Sequence, residues 1–187
     1  NIITSKDKLP KIDRKRLYGY LLHFYDPVIG SVTKPNTGNI EKHETKSKKL
    51  ITSKYSIDST GSRTNPKYDH LPTQIETYGD STCFCRHVND DETFQHHISR
   101  LSNFHVRNLG VGGHGIDQAF IRFKKDLENG LDGSIIMFCV APETIRRSLS
   151  IWKHFSEFGN TVTFKPRYTL NNNKLKLINN PLDDPEK

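Results

Sequence analysis

Three cysteines are too few for a disulfide framework, and no Cys-x-x-Cys or Cys/His spacing suggests a zinc site. No apolar run approaches the roughly 18 residues needed to span a bilayer as a helix. Glycine (12) and proline (9) are too sparse for a collagenous or low-complexity chain. Methionine occurs once, at Met137, and the chain opens on Asn1. A frame that starts without Met implies a fragment or a trimmed product. Missing leader or anchor segments therefore say nothing about the intact protein; membrane association stays open, with a cytoplasmic setting the default expectation.

What is present is 187 residues, the length of one domain or of one domain plus an extension. The net charge of +7 is unevenly placed: residues 1–74 hold 14 Lys/Arg against 7 Asp/Glu, whereas residues 75–187 hold 14 of each. This divides the chain into a basic, polar lead-in (1–74) and a charge-balanced part (75–187). The lead-in reads as irregular with short extended pieces. Its one apolar cluster, Arg16 to Tyr25, is ended by Asp26-Pro27. Pro35-Asn36-Thr37-Gly38 suits a turn, and Ile51 to Ile57 an edge strand. Lys46, Lys48, Lys49 and Lys54 have no aromatic residues interleaved with them, so they read as a solvated face and no nucleic-acid partner is expected.

From residue 75 strands and helices alternate. Ile75 to Tyr78 is a short strand, and Asp90-Asp91-Glu92-Thr93 opens a helix running to about Leu101. Phe104 to Leu109 is a second strand, followed by the glycine turn Gly110-Val111-Gly112-Gly113-His114-Gly115. Ile116, Ala119, Phe120, Phe123 and Leu127 then recur at helical spacing. Ser134 to Val140 is apolar throughout, as in a strand covered on both faces, and Pro142 starts a helix carrying Ile145, Leu149, Trp152 and Phe155 as one stripe. Three β-loop-α units in succession predict an α/β fold, a parallel sheet with helices on both faces.

Ligands of such sheets bind at the carboxyl ends of the strands. Those ends carry Gly79-Asp80-Ser81, Asn108 with the glycine turn, and Ala141-Pro142-Glu143. A serine just past a strand has an exposed hydroxyl near unpaired backbone N–H groups, which suits a nucleophile whose own N–H helps hold an oxyanion. In isolation the same serine is more simply a turn cap.

Tyr78-Gly79-Asp80-Ser81-Thr82 resembles the first block of the SGNH (GDSL-type) hydrolases, and Asn108-Leu109-Gly110-Val111-Gly112-Gly113 resembles the second, one βα unit later. Asp26-Pro27-Val28-Ile29-Gly30 and Tyr55 to Arg63 resemble the lead-in of bacterial members, so the resemblance spans about residues 25–158. It implies a three-layer α/β/α, flavodoxin-like fold of which only the first part of the sheet is present. It also implies a cofactor-free serine esterase acting on a small-molecule or glycan acyl ester. Ser81 would be the nucleophile and Gly113 an oxyanion N–H donor, with Gly112 a rival; Gly79, Asp80 and Asn108 would support them. Cys83 and Cys85 would be thiols packed beneath the site, despite Arg86 alongside, and Cys139 reads as core.

Two departures stand out. The family's third-block asparagine is missing, and Ala141-Pro142-Glu143-Thr144 stands in its place. Glu143 cannot donate a hydrogen bond as a carboxylate, which leaves Arg146 or Arg147 as a source of positive charge. Lying near a helix N-terminus, they call for a partner such as Glu143 or an anionic ligand. No Asp-x-x-His segment occurs either: Asp183-Asp184-Pro185-Glu186 has no following histidine. His114 is the one histidine at a strand's carboxyl end, a general base or simply a loop residue; the alternative is a base outside this chain. Glu143, Arg146 and His114 are thus the pocket candidates. Three other readings remain: an O-acyltransferase, a non-catalytic SGNH-like binding domain, and a dinucleotide site. The last would use Gly110-x-Gly112-x-x-Gly115, with Glu143 as its acidic residue.

Overall fold

The computed structural model describes residues 10–157 and 160–183. Asp184, Pro185 and Glu186, read above for a base segment, lie outside the described residues.

The chain forms an α/β fold around a three-stranded parallel sheet, ordered β6-β5-β7. β5 (Thr73–Tyr78) is central, with β6 (His105–Asn108) on one side and β7 (Ile135–Phe138) on the other. Each strand feeds a helix: α2 (Phe94–Ser102), α3 (Ile116–Glu128) and α4 (Pro142–Arg147). Residues on a strand alternate between faces, so Thr77 and Tyr78 point oppositely. Gln95 of α2 donates to the Thr77 hydroxyl at 3.0 Å, whereas Phe123 of α3 stacks edge-on against Tyr78. The two helices therefore cover opposite faces of the sheet, which makes three layers. The apolar core is small, with Tyr78, Leu109 and Ala119 buried against Phe123, Ile136 and Phe138.

Several elements differ from the sequence reading. Arg16 to Tyr25 is mostly helix, not extended chain: α1 spans Arg14–His23, with the Asp13 carboxylate accepting from the Lys15 and Arg16 N–H groups. Its apolar side chains Tyr18 and Leu22 face solvent, so no amphipathic stripe announces it. β1 (Tyr25–Asp26) and β2 (Gly30–Ser31) form a two-residue ladder around Pro27. β3 (Gly38–Glu44) pairs with β4 (Leu50–Ser56) in an exposed hairpin whose tip holds Lys46, Lys48 and Lys49. The expected turn at Asn36 is present, in the left-handed region at φ 56°. β7 is not covered on both faces; it is an edge strand, and Ile135 is 52% exposed. α4 stops at Arg147. Beyond it the Ser148 hydroxyl donates to the Ile145 carbonyl, while the Ser150 hydroxyl donates to the Trp152 carbonyl and accepts from its N–H. Such local side-chain bonds compete with helix propagation. Trp152 pairs instead with Phe164, so its stripe with Ile145, Leu149 and Phe155 is not one helix face. β8 (Arg167–Asn171) and β9 (Lys174–Ile178) pair as a hairpin, followed by a single 3-10 turn at Pro181–Asp183. Among the described residues no helix is long and apolar enough to cross a membrane.

The lead-in does more than dress the surface. Arg63 is 1% exposed, and its guanidinium donates to Asp90 and to the carbonyls of Phe84, Cys85 and Val88, all within 2.9 Å. It lies over the rings of Tyr55 and Phe84, and its backbone N–H bonds the Asn108 carbonyl. A basic residue of the lead-in is thereby the peg that fixes the turn after β5 and closes the edge of β6.

Candidate functional site

The strand order sets the carboxyl ends of β5, β6 and β7 side by side. Backbone bonds knit the first two loops, with the Leu109 N–H on the Thr77 carbonyl and the Val111 N–H on the Gly79 carbonyl. The third joins through the Cys139 N–H on the Tyr78 carbonyl. Close packing here demands glycine. A Cβ on Gly79 would lie 2.7 Å from the Cys83 Cβ, and one on Gly110 would lie 2.4 Å from the Phe84 nitrogen.

Asp80 is buried directly after β5. One carboxylate oxygen accepts from the Thr82 N–H at 2.8 Å and the other from Arg147 at 2.8 Å. Ser81 is partly exposed at the head of a run of tight turns, its carbonyl accepting from the Arg86 N–H. Among the described residues, neither its hydroxyl nor its own N–H has a hydrogen-bond partner. The N–H groups of Gly112 and Gly113 are unpaired in the same sense. Gly113 sits at φ +76°, a conformation side chains disfavour, and its carbonyl accepts from the Lys153 ammonium at 2.5 Å. The Asn108 carboxamide folds inward, its oxygen accepting from the Gly110 N–H and its nitrogen donating to the Phe84 carbonyl.

Arg147 links all three loops. It bonds Asp80 at 2.8 Å, Glu157 at 2.6 Å and the His114 carbonyl at 3.4 Å. Arg147 thus lies in the last turn of the short α4, not near its start, and its partners are Asp80 and Glu157 rather than Glu143. Glu143 and Arg146 are exposed and take no part in this network. His114 is fully buried, and its Nε2 donates to the Ser31 carbonyl at 2.7 Å. Burial holds its pKa well below the ordinary histidine value, and its Nδ1 has no partner. A sealed ring with its proton already placed is poorly set to serve Ser81 as a base.

A cavity of about 510 Å³ opens beside the glycine turn. Gly112, Gly113, Lys153 and Glu157 line it, with Tyr20, Phe24 and Tyr55 from the lead-in; Ser81 is not in its lining. Lys153 is buried, which pulls its pKa down to about 8. Sequence reasoning missed Lys153, which lies in a stretch read as more helix, and Glu157, which lies just beyond that stretch and carries no motif.

The thiols lie beneath the site. Cys83 is fully buried and hydrogen-bonded to Cys139, a contact that with burial pushes the Cys83 thiol up. Cys85 is raised chiefly by burial. No cysteine is in a disulfide, and no group of three or more potential metal ligands occurs among the described residues.

The glycine turn is badly placed for a dinucleotide. In that motif the acidic residue comes from the strand beside the glycine-turn strand, but β5 separates β6 from β7. The N-terminus of α3 is also filled: the Gly115 N–H bonds Gln118, and buried Asp117 pairs with Lys165 at 2.5 Å. An anion there would meet a carboxylate instead of free N–H groups.

Comparison with protein-family models, with curated proteins and with solved structures returns no match.

Proposed function

We propose that the protein is a serine-nucleophile ester hydrolase of the SGNH type. The observation that carries this reading is the unpaired Ser81 at the end of the central strand, beside a loop with two further unpaired N–H groups. Attack of the Ser81 oxygen on an ester carbonyl would place negative charge on the carbonyl oxygen. The N–H groups of Ser81 and of Gly113 or Gly112 are the donors available to hold it. Asp80 braces the turn by accepting the Thr82 N–H, and Arg147 fixes the Asp80 carboxylate in place. Lys153 anchors the Gly113 carbonyl and so orients the peptide unit that follows it. No histidine among the described residues is assigned as base.

That vacancy sets the experiment. Hydrolysis of p-nitrophenyl acetate should be slow in water and should accelerate with added imidazole, which supplies a base. The acceleration should vanish in Ser81→Ala. An imidazole effect equal in both proteins would remove Ser81 from the chemistry. Whether the acyl group passes to water or to a second alcohol is a difference of acceptor only, so the same assay with added methyl glycosides reads transfer.

A further inference from the structure

The cavity beside the glycine turn combines three properties that narrow its ligand. Its volume of about 510 Å³ lies within the range of small-molecule sites, about 300–1,000 Å³. Its charges balance as a cluster: Arg86 pairs with Glu41, and Arg147 together with Lys153 offsets Asp80 and Glu157. A charged ligand would upset that balance, whereas a neutral one would not.

The walls are aromatic and the floor is short of partners. Phe24 is 55% exposed although it lies in a concave wall, and the rings of Tyr55 and Tyr20 flank the same space. At the floor, the ammonium of buried Lys153 makes one hydrogen bond of its possible three among the described residues. The Thr163 hydroxyl makes none among the described residues. Ser31, also in the lining, has a buried hydroxyl without a partner among the described residues. Buried polar groups left unpaired cost free energy that a ligand with matching hydroxyls recovers.

We infer that this cavity is a subsite for a neutral saccharide. A pyranose offers C–H faces to Phe24 and Tyr55, and ring hydroxyls that accept from the Lys153 ammonium and both donate to and accept from the Thr163 hydroxyl. It carries no charge to disturb the balanced ion pairs. The inference rests on the ester-hydrolase reading in one respect: because Gly112 and Gly113 line the cavity, the sugar would be the alcohol half of the ester.

The test is saturation-transfer NMR on the 187-residue chain with methyl glycosides of glucose, galactose, mannose and N-acetylglucosamine. At least one should bind wild type and Ser81→Ala equally. Phe24→Ala and Thr163→Val should each weaken binding by about tenfold with unchanged circular dichroism. No binding of any of the four to wild type overturns the proposal, as does equal affinity in the two cavity variants. Preference for glucuronate or a sugar phosphate over the neutral glycosides also overturns it. Imidazole-dependent hydrolysis at Ser81 without glycoside binding would remove the saccharide subsite alone. Glycoside binding without Ser81 chemistry would remove the ester reading and keep the subsite.

Discussion

On one flank of β5, strand β6 is sealed. Val106 and Asn108 are buried, and Arg63 closes the outer edge through its bond to the Asn108 carbonyl. Asn65 adds bonds to Ser99, His96 and the Val106 carbonyl, which ties α2 and the lead-in to this strand. On the other flank, β7 stands half exposed, with Ile135 at 52% and Val140 at 54%. The same central strand thus rests on a polar, densely hydrogen-bonded side and an apolar, partly solvated one. The turn that bears Ser81 is fastened to the first. Polar groups fix one geometry when all are satisfied, whereas a half-exposed apolar contact tolerates several.

The contrast can be broken most severely at its peg. Arg63→Met should strip Asp90 and three carbonyls of their donor and destabilise the fold by about 3–5 kcal/mol in urea unfolding. A loss similar to that of a surface substitution would mean that the polar flank carries little. Arg147→Ala, which unpairs buried Asp80, should cost about 1–3 kcal/mol and slow the imidazole-assisted hydrolysis at Ser81.

Lys153 gives the comparison a pH dependence. Its folded pKa of about 8 lies below the unfolded value, so the unfolded chain holds more protons between those two values. Stability from this group therefore rises with pH above about 8, up to the unfolded pKa. Lys165 is lowered in the same sense, while the Cys83 thiol and the Tyr78 hydroxyl are raised and oppose it. The informative quantity is therefore wild type minus Lys153→Met, which should climb across that window; a flat difference would contradict it. On the apolar flank, Ile135→Thr should cost less than about 1 kcal/mol because half of the side chain is already in water. Smallest of all, Glu143→Gln and Arg146→Ala should stay within about 0.5 kcal/mol and leave hydrolysis unchanged.

What could be read in the sequence followed the strength of its periodicity. α3 falls close to where the Ile116-to-Leu127 stripe puts it, because it buries one regular face, and β5 and β6 fall close to their short strand segments, buried on both faces. α1 escaped because Tyr18 and Leu22 face water, and β3 because almost all of it is exposed. β7 looked doubly covered because SIIMFCV is apolar, but hydrophobicity does not say whether a neighbour is present. In the site, Gly79-Asp80-Ser81 and the glycine turn were legible as motifs at strand ends. Arg63, Lys153 and Glu157 were not, since a buried charge has the same letter as an exposed one. Partners drawn from distant parts of the chain decide which it is, as Arg63 with Asp90 and Lys153 with the Gly113 carbonyl show.

The central claim is that Ser81 is the nucleophile of an ester-cleaving site, and one measurement addresses it directly. The protein is treated with a fluorophosphonate in the presence of imidazole, digested, and mapped by mass spectrometry. The account expects the adduct on the peptide carrying Ser81, absent from Ser81→Ala, and undiminished in Glu143→Gln. An adduct on another residue, or the same yield in Ser81→Ala, would contradict it.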